Sequence, residues 1–168
     1  KARFTLSLPK AGHYTYKLHT QYEDQDQTFE IPVHILQRPD LIFVENAFEI
    51  DPEKPVVGRT VYFRGMVKNV GEGPAYNFDV QGFDSDPKFG KKMNNFDGTH
   101  RAKIDKLLPG ETAPFTIVWD PPSYEGLGKH ELHLIIDRFK RVEESNEDNN
   151  EVIHPFALHN LPDLAVDL

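Results

Sequence analysis

The chain has 168 residues, of which 38% are hydrophobic and 27% charged, with a net charge of -8. Such a composition builds a core and does not read as disorder, while the acidic balance argues against binding a phosphate backbone. There is no cysteine, which excludes disulfide scaffolds, thiolate metal sites and cysteine nucleophiles, and no apolar run approaches the length of a membrane span.

Thirteen prolines and eleven glycines cut the sequence into short segments with period-two apolar alternation, the pattern of an all-β protein, and no amphipathic helix is evident. Phe4, Leu6 and Leu8 alternate with polar neighbours, and Tyr14, Tyr16 and Leu18 do the same after the break at Gly12. The polar run "EDQDQ" at residues 23–27 reads as a hairpin tip, from which Phe29, Ile31, Val33 and Ile35 return. Three strands with one apolar face do not close a core alone. Pro39 then marks a linker, and "DPEKPVVG" a turn or loop. In "TVYFRGMVKNVGEGPA" Val61, Phe63 and Val67 share one parity, and "NVGEG" ends the strand. "YNFDVQGF" is the next strand, followed by a long polar loop over residues 85–101. "AKIDKLLPGETAPFTIVWD" gives a strand, a turn at Pro109 and Gly110, and a strand with Phe115, Ile117 and Trp119 on one face. Leu132, Leu134 and Ile136 face the core in the following strand, and "EVIHPFALHN" closes the unit.

The motif "RPDLIFV" at Arg38 returns as "LPDLAVD" at Leu161, the mark of tandem modules. The first segment also loosely parallels the second half of the main unit. Residues 1–37 are therefore expected to be the last strands of a preceding β-sandwich domain, 38–160 one complete domain, and 161–168 the start of a following repeat. The chain opens on Lys1, with no signal peptide, and is expected to be a piece of a longer protein.

The main unit resembles the CARDB family, the cell-adhesion-related domain found in bacteria and also in archaea. The residues that carry the resemblance are "PDL" at 39–41, Val67, Asn69 and Gly71 within "VYFRGMVKNVGEGPA", "LLPGE" at 107–111, "VW" at 118–119, and "IIDRFKRVEESNEDNNE" at 135–151. The last is the most specific, and together they cover residues 38–157. The sequence departs from the family pattern in the basic loop before Arg101 and in the paired acids Glu143 and Glu144. The resemblance implies an immunoglobulin-like sandwich of about seven antiparallel strands, used in tandem in surface and secreted proteins.

Four groups of side chains are candidates for function. Asn146, Asn149 and Asn150 are expected to shape the turn between the last two strands, because asparagine tolerates left-handed backbone and its amide bonds nearby backbone groups. Asn69 and Gly71 are structural turn residues of the same kind. The alternative reading of that turn is a calcium site built from Asp137, Glu143, Glu144, Glu147 and Asp148: oxygen ligands suit a hard cation, but the spacing is not that of an EF-hand loop. Another acidic cluster is "FDSDP" at 83–87 near Asp79 or Asp97, which reads more simply as a solvated loop. The basic loop with Lys88, Lys91, Lys92, Phe96 and Arg101 is the candidate binding surface for acidic glycans or a partner protein.

Eight histidines do not form a metal-binding pattern, and His130 and His133, three apart on a strand, point to opposite faces. They read as surface or loop histidines. Ser7, Ser85, Ser123 and Ser145 sit in strand or turn contexts and suggest no nucleophile, so no catalytic residue is expected. A carbohydrate-binding module would expose an aromatic strip, for which Tyr62, Tyr76, Tyr124, Phe89 and Phe96 are the candidates.

The expected function is a non-catalytic extracellular module, a spacer or adhesive surface in a multidomain cell-surface or secreted protein. Its partners would be neighbouring domains of the same chain, other surface proteins or glycans, with no nucleic acid and no membrane span. The alternatives are an accessory carbohydrate-binding module of a polysaccharide-processing enzyme, or a filament subunit assembled by strand exchange.

Overall fold

Apolar residues at every second position put one face of a strand on a core and leave the other to solvent. The computed structural model describes residues 12–22, 25–35, 37–88, 90–93, 100–122 and 125–161, among which there is no helix. The chain divides into two compact units, Lys1–Gln37 and Arg38–Leu168.

In the first unit, β1 (Gly12–Tyr22) and β2 (Gln25–Ile35) form one antiparallel hairpin, in register from Gly12 opposite Ile35 to Tyr22 opposite Gln25. The cross-strand pairs Tyr14–Val33, Tyr16–Ile31 and Leu18–Phe29 make one face apolar, while Lys17–Glu30 and His19–Thr28 lie on the other. The polar tip is shorter than residues 23–27, because β2 already begins at Gln25. The expected strand around Phe4, Leu6 and Leu8 lies outside the described residues.

The second unit is a two-sheet antiparallel sandwich. Its strands are β3 (Leu41–Phe43), β4 (Glu49–Asp51), β5 (Val61–Asn69), β6 (Ala75–Asp84), β7 (Lys91–Lys92), β8 (Arg101–Leu107), β9 (Thr112–Trp119), β10 (Gly128–Ile136) and β11 (Glu151–Leu158). In one sheet β9 takes one edge of β5, and β3 and β4 follow each other along the opposite edge. They act as one interrupted strand. In the other sheet the order is β11–β10–β6, with β8 and the two-residue β7 on the far edge of β6. With β3 and β4 counted together and β7 set aside, the sandwich has seven strands among the described residues, the number that the resemblance implies.

The core sits between the sheets. Val61, Phe63 and Val67 from β5, Phe115, Ile117 and Trp119 from β9, and Leu132, Leu134 and Ile136 from β10 are all buried, as their shared parity requires. Gly65 belongs to the same inward set. A Cβ on it would lie 2.5 Å from the Phe115 ring, its cross-strand neighbour, so the aromatic fills the space that the glycine leaves. Residues 85–101 are not all loop: Lys91 and Lys92 pair with Asp84 and Phe83, and Met93 is fully buried.

One irregularity sets the outer surface of the second sheet. Asn77 in β6 is left-handed, with φ of 58° at Asn46 and 54° at Asn77 itself among the positive values of the chain. Ala75 points into the core before it and Phe78 and Val80 after it, so the alternation shifts by one. Asp79, Gln81 and Phe83 consequently lie on the outer face, yet all three are buried there.

Candidate functional site

Residues 38–41, the "RPDL" motif, are held from both sides by two turns. The first is the "NVGEG" turn after β5. Asn69 is fully buried and uses its whole amide: Oδ1 accepts from the Asp40 and Gly71 amides at 3.2 and 3.1 Å, and Nδ2 donates to the Gly73 and Leu107 carbonyls at 2.8 and 3.0 Å. The Val70 amide donates to the Asp40 carbonyl at 2.8 Å, and those of Glu72 and Gly73 donate to the Arg38 carbonyl. The turn lies so close to the segment that a Cβ on Gly71 would sit 2.4 to 2.6 Å from backbone atoms of Arg38, Pro39 and Asp40. Only glycine allows that approach.

The second turn is the acidic stretch between β10 and β11. Arg38 pairs with Glu143. The Ser145 amide donates to the Pro39 carbonyl at 2.9 Å, and the Ser145 hydroxyl donates to the same oxygen at 3.3 Å. The Leu41 amide donates to Glu144 Oε2 at 2.6 Å, and Asn149 Nδ2 donates to Asp40 Oδ1 at 2.7 Å. Every residue from 38 to 41 thus has a partner roughly one hundred positions away in sequence.

The turn's own shape comes from carboxylates more than from asparagine backbone. The left-handed residues here are Asp137 (φ 41°) and Lys140 (φ 50°), not the asparagines, whose amides do the bonding instead. Asp137 Oδ2 accepts from the Val142 amide at 2.7 Å, Glu147 Oε1 from the Glu144 amide at 3.0 Å, and Asn146 Oδ1 from the Asp148 amide at 3.1 Å. Asn150 Nδ2 donates to Glu144 Oε1 at 2.7 Å. Glu144 is only 3% exposed, and burial pushes its carboxyl up to about 7, the bonds from Leu41 and Asn150 opposing and the charges of Glu147 and Asp137 reinforcing the effect. Burial raises Asp137 above the usual carboxylate range as well, against the bonds from the Val142 and Arg141 amides.

The five acids considered as calcium ligands therefore serve separate partners: Asp137 the Val142 amide, Glu143 Arg38, Glu144 Leu41 and Asn150, Glu147 the Glu144 amide and, at 3.3 Å, Lys140. Asp148 lines an open hollow beside Glu147. Among the described residues no three Asp, Glu or His side chains form a group able to hold a metal ion.

The basic candidates do not form one loop. Lys91 and Lys92 lie on β7, Lys91 paired with Glu125 at 3.1 Å, and the Lys88 amide donates to Asp86 Oδ1. Arg101 stands apart on β8, facing Asp79 at 3.4 Å; Phe96, like Asp97, lies outside the described residues. Asp84, from the "FDSDP" stretch, is not simply solvated: it bonds His130 Nδ1 at 2.9 Å. His130 and His133 take opposite faces of β10 but are not surface histidines: His130 stacks on Phe156, and the buried His133 bonds Glu151 at 3.0 Å. Trp119, Phe115 and Ile117 are core. Tyr62 and Tyr76 are exposed on different sheets, so they make no common strip, and Phe89 and Tyr124 lie outside the described residues.

What the fold and the clamped "RPDL" segment define is an immunoglobulin-like module with a fixed point of chain arrival. The CARDB family pattern matches residues 38–154, and the chain belongs to the CARDB family, a non-catalytic domain family associated with the cell surface. No curated protein matches the chain. Among solved structures it is similar to the crystal structure of a Pyrococcus furiosus CARDB domain in complex with di-metal ions, with 20% identity over 75% of this chain and 98% of that one and a TM-score of 0.54. It is also similar to a domain assigned to a cell-surface protein of Methanosarcina acetivorans, at 20% identity over 72% and 92% of the two chains and a TM-score of 0.51.

Proposed function

We propose that residues 38–160 work as a spacer module in a multidomain protein of the cell surface or secreted space, joined to neighbouring domains of the same chain and open to surface proteins or glycans on its loops. The observation that carries this reading is the clamp on residues 38–41. A spacer has to transmit direction as well as length, and a flexible linker transmits neither well. Bonds from two turns to four consecutive residues set the direction in which the chain arrives by the domain itself. The same "PDL" triplet at Pro162, Asp163 and Leu164 would supply a following module with the segment that its own turns hold.

The test is amide relaxation by NMR on the 168-residue chain. Order parameters at residues 38–41 should match those of the core strands, about 0.85, and values below about 0.6 would remove the basis for the reading. Protease shaving of intact source cells should release peptides from this domain if it is displayed outside. The finer assignment of calcium as a cofactor is checked by thermal unfolding in excess calcium and then in EDTA: an ion bound only by the native state raises the midpoint by mass action.

A further inference from the structure

On the outer face of the second sheet, β6 and β8 run in register with Asp79 opposite Lys103 and Gln81 opposite Arg101. Phe78, Val80 and Ile104 point into the core, so Asp79, Gln81, Arg101, Lys103 and Asp105 point away from it. Together with Asn77 and with Arg141 from the acidic turn, Asp79, Arg101, Lys103 and Asp105 line an open hollow of about 430 Å³. In a chain of net charge -8, three cations against two carboxylates make this a local positive site.

Its hydrogen-bonding capacity is largely unspent. Arg101 and Arg141 share a single acceptor, Asp79 Oδ2, at 3.4 and 3.8 Å, although each guanidinium carries five donors. Lys103 and Asp105 are exposed and have no partner among the described residues. Beside them Gln81, 1% exposed, donates Nε2 to Asp79 Oδ1 at 2.7 Å, and its Oε1 is buried with no partner among the described residues. Buried polar atoms are ordinarily satisfied, and this one is an exception on a residue that bonds Asp79 without itself lining the hollow.

We propose that this hollow binds an anionic saccharide, a sugar bearing a carboxylate or sulfate group. Arg101, Lys103 and Arg141 receive the anion, in the charge-assisted geometry that guanidinium groups favour. Asn77 and Asp105 take ring hydroxyls, which both donate and accept. A protein partner would need an apolar anchor, and the apolar lining residues Phe78 and Ile104 are buried beneath the polar groups. A nucleic acid is opposed by the charge of the whole chain. The site does not rest on the spacer role: it is built on β6, β8 and Arg141 of the acidic turn, and includes none of residues 38–41.

The test is calorimetric and NMR titration of the 168-residue chain with trigalacturonate, a sulfated chondroitin tetrasaccharide, uncharged maltotriose, and sodium acetate and sodium sulfate. At least one of the two charged oligosaccharides should bind, moving amides at residues 77–81 and 101–105, with maltotriose inert; which of the two binds identifies the anion. Lys103→Gln, which breaks no contact within the fold, should leave the melting temperature unchanged and weaken binding about three- to tenfold, and Arg141→Gln, which also gives up the ion pair with Asp79 and the contact with the Phe139 ring, should weaken binding to the same extent. A triple Lys88→Gln, Lys91→Gln, Lys92→Gln variant should bind as the wild type does. The proposal falls if a folded chain binds neither oligosaccharide, if acetate or sulfate alone binds as well as the sugar, or if the triple variant loses binding while Lys103→Gln keeps it.

Discussion

Gly71 and Glu144 show how much single residues contribute to the clamp. At Gly71 the obstacle to a side chain is backbone, which has no rotamer to move. Gly71→Ala must push residues 38–40 away from the turn and is expected to cost about 2–4 kcal/mol, read as a lowered urea midpoint with an unchanged slope. Glu144 gives the molecule a pH dependence. Its folded value of about 7 lies above the ordinary 4.5, so the native state binds the proton more tightly than the unfolded chain. The stability it contributes is fully present below about pH 4.5 and is lost as the pH rises through about 7, above which both states are ionised. Glu144→Gln removes that titration. The variant should gain on the wild type by about 2–3 kcal/mol between pH 4.5 and 8, measured by urea unfolding at each pH. Equal pH profiles for the two proteins would contradict the buried-carboxyl assignment. The chemistry of this residue was not legible in the sequence. "VEESNEDNN" shows an acidic run, and an acidic run suggests an ion. What it does not show is that the Leu41 amide, 103 positions earlier, takes one of Glu144's oxygens. Asn69 and Gly71 could be read as turn residues from their spacing alone, although what they turn around could not.

At the level of elements, strands were legible wherever alternation was unbroken, as in β5, β9 and β10. The reading failed where the chain departs from strict alternation. Asn77 shifts the parity of β6, the β3–β4 edge is interrupted by residues 44–48, and a two-residue strand hides in the polar stretch before the buried Met93. Each is set by a neighbouring strand and not by local composition. The turn between β10 and β11 is the element on which the clamp depends. Replacing Glu143, Glu144, Ser145 and Asn149 together by alanine removes its side-chain bonds to residues 38–41 while leaving the Ser145 amide on the Pro39 carbonyl and the Asp137 and Glu147 caps. The variant should remain a sandwich, destabilised by about 3–5 kcal/mol, with amide exchange at Leu41 faster by at least tenfold than in β5 of the same protein. Exchange that accelerates uniformly through the core would mean that the turn supports the whole sheet and not this segment.

For the whole molecule, the two units differ in how much apolar surface they cover for themselves. The sandwich buries its apolar faces between two sheets, whereas the hairpin leaves Phe29 and Ile31 49% and 45% exposed. A lone two-stranded hairpin is marginal in water at best, because it forms its ladder without a core to offset the loss of chain entropy. The cooperative unfolding of the chain should therefore belong to the sandwich. A chain of residues 38–160 is expected to melt within about 3 °C of the 168-residue chain, with a calorimetric enthalpy lower by much less than its share of residues would give. The hairpin should contribute no transition of its own, and its amides should exchange at rates near those of an unfolded peptide. A midpoint that drops by 10 °C or more on removing residues 1–37 would instead make the hairpin a stabilising part of the sandwich. The arrival of the chain at Arg38 would then be fixed by packing between the units, and the clamp would be only one contributor to it.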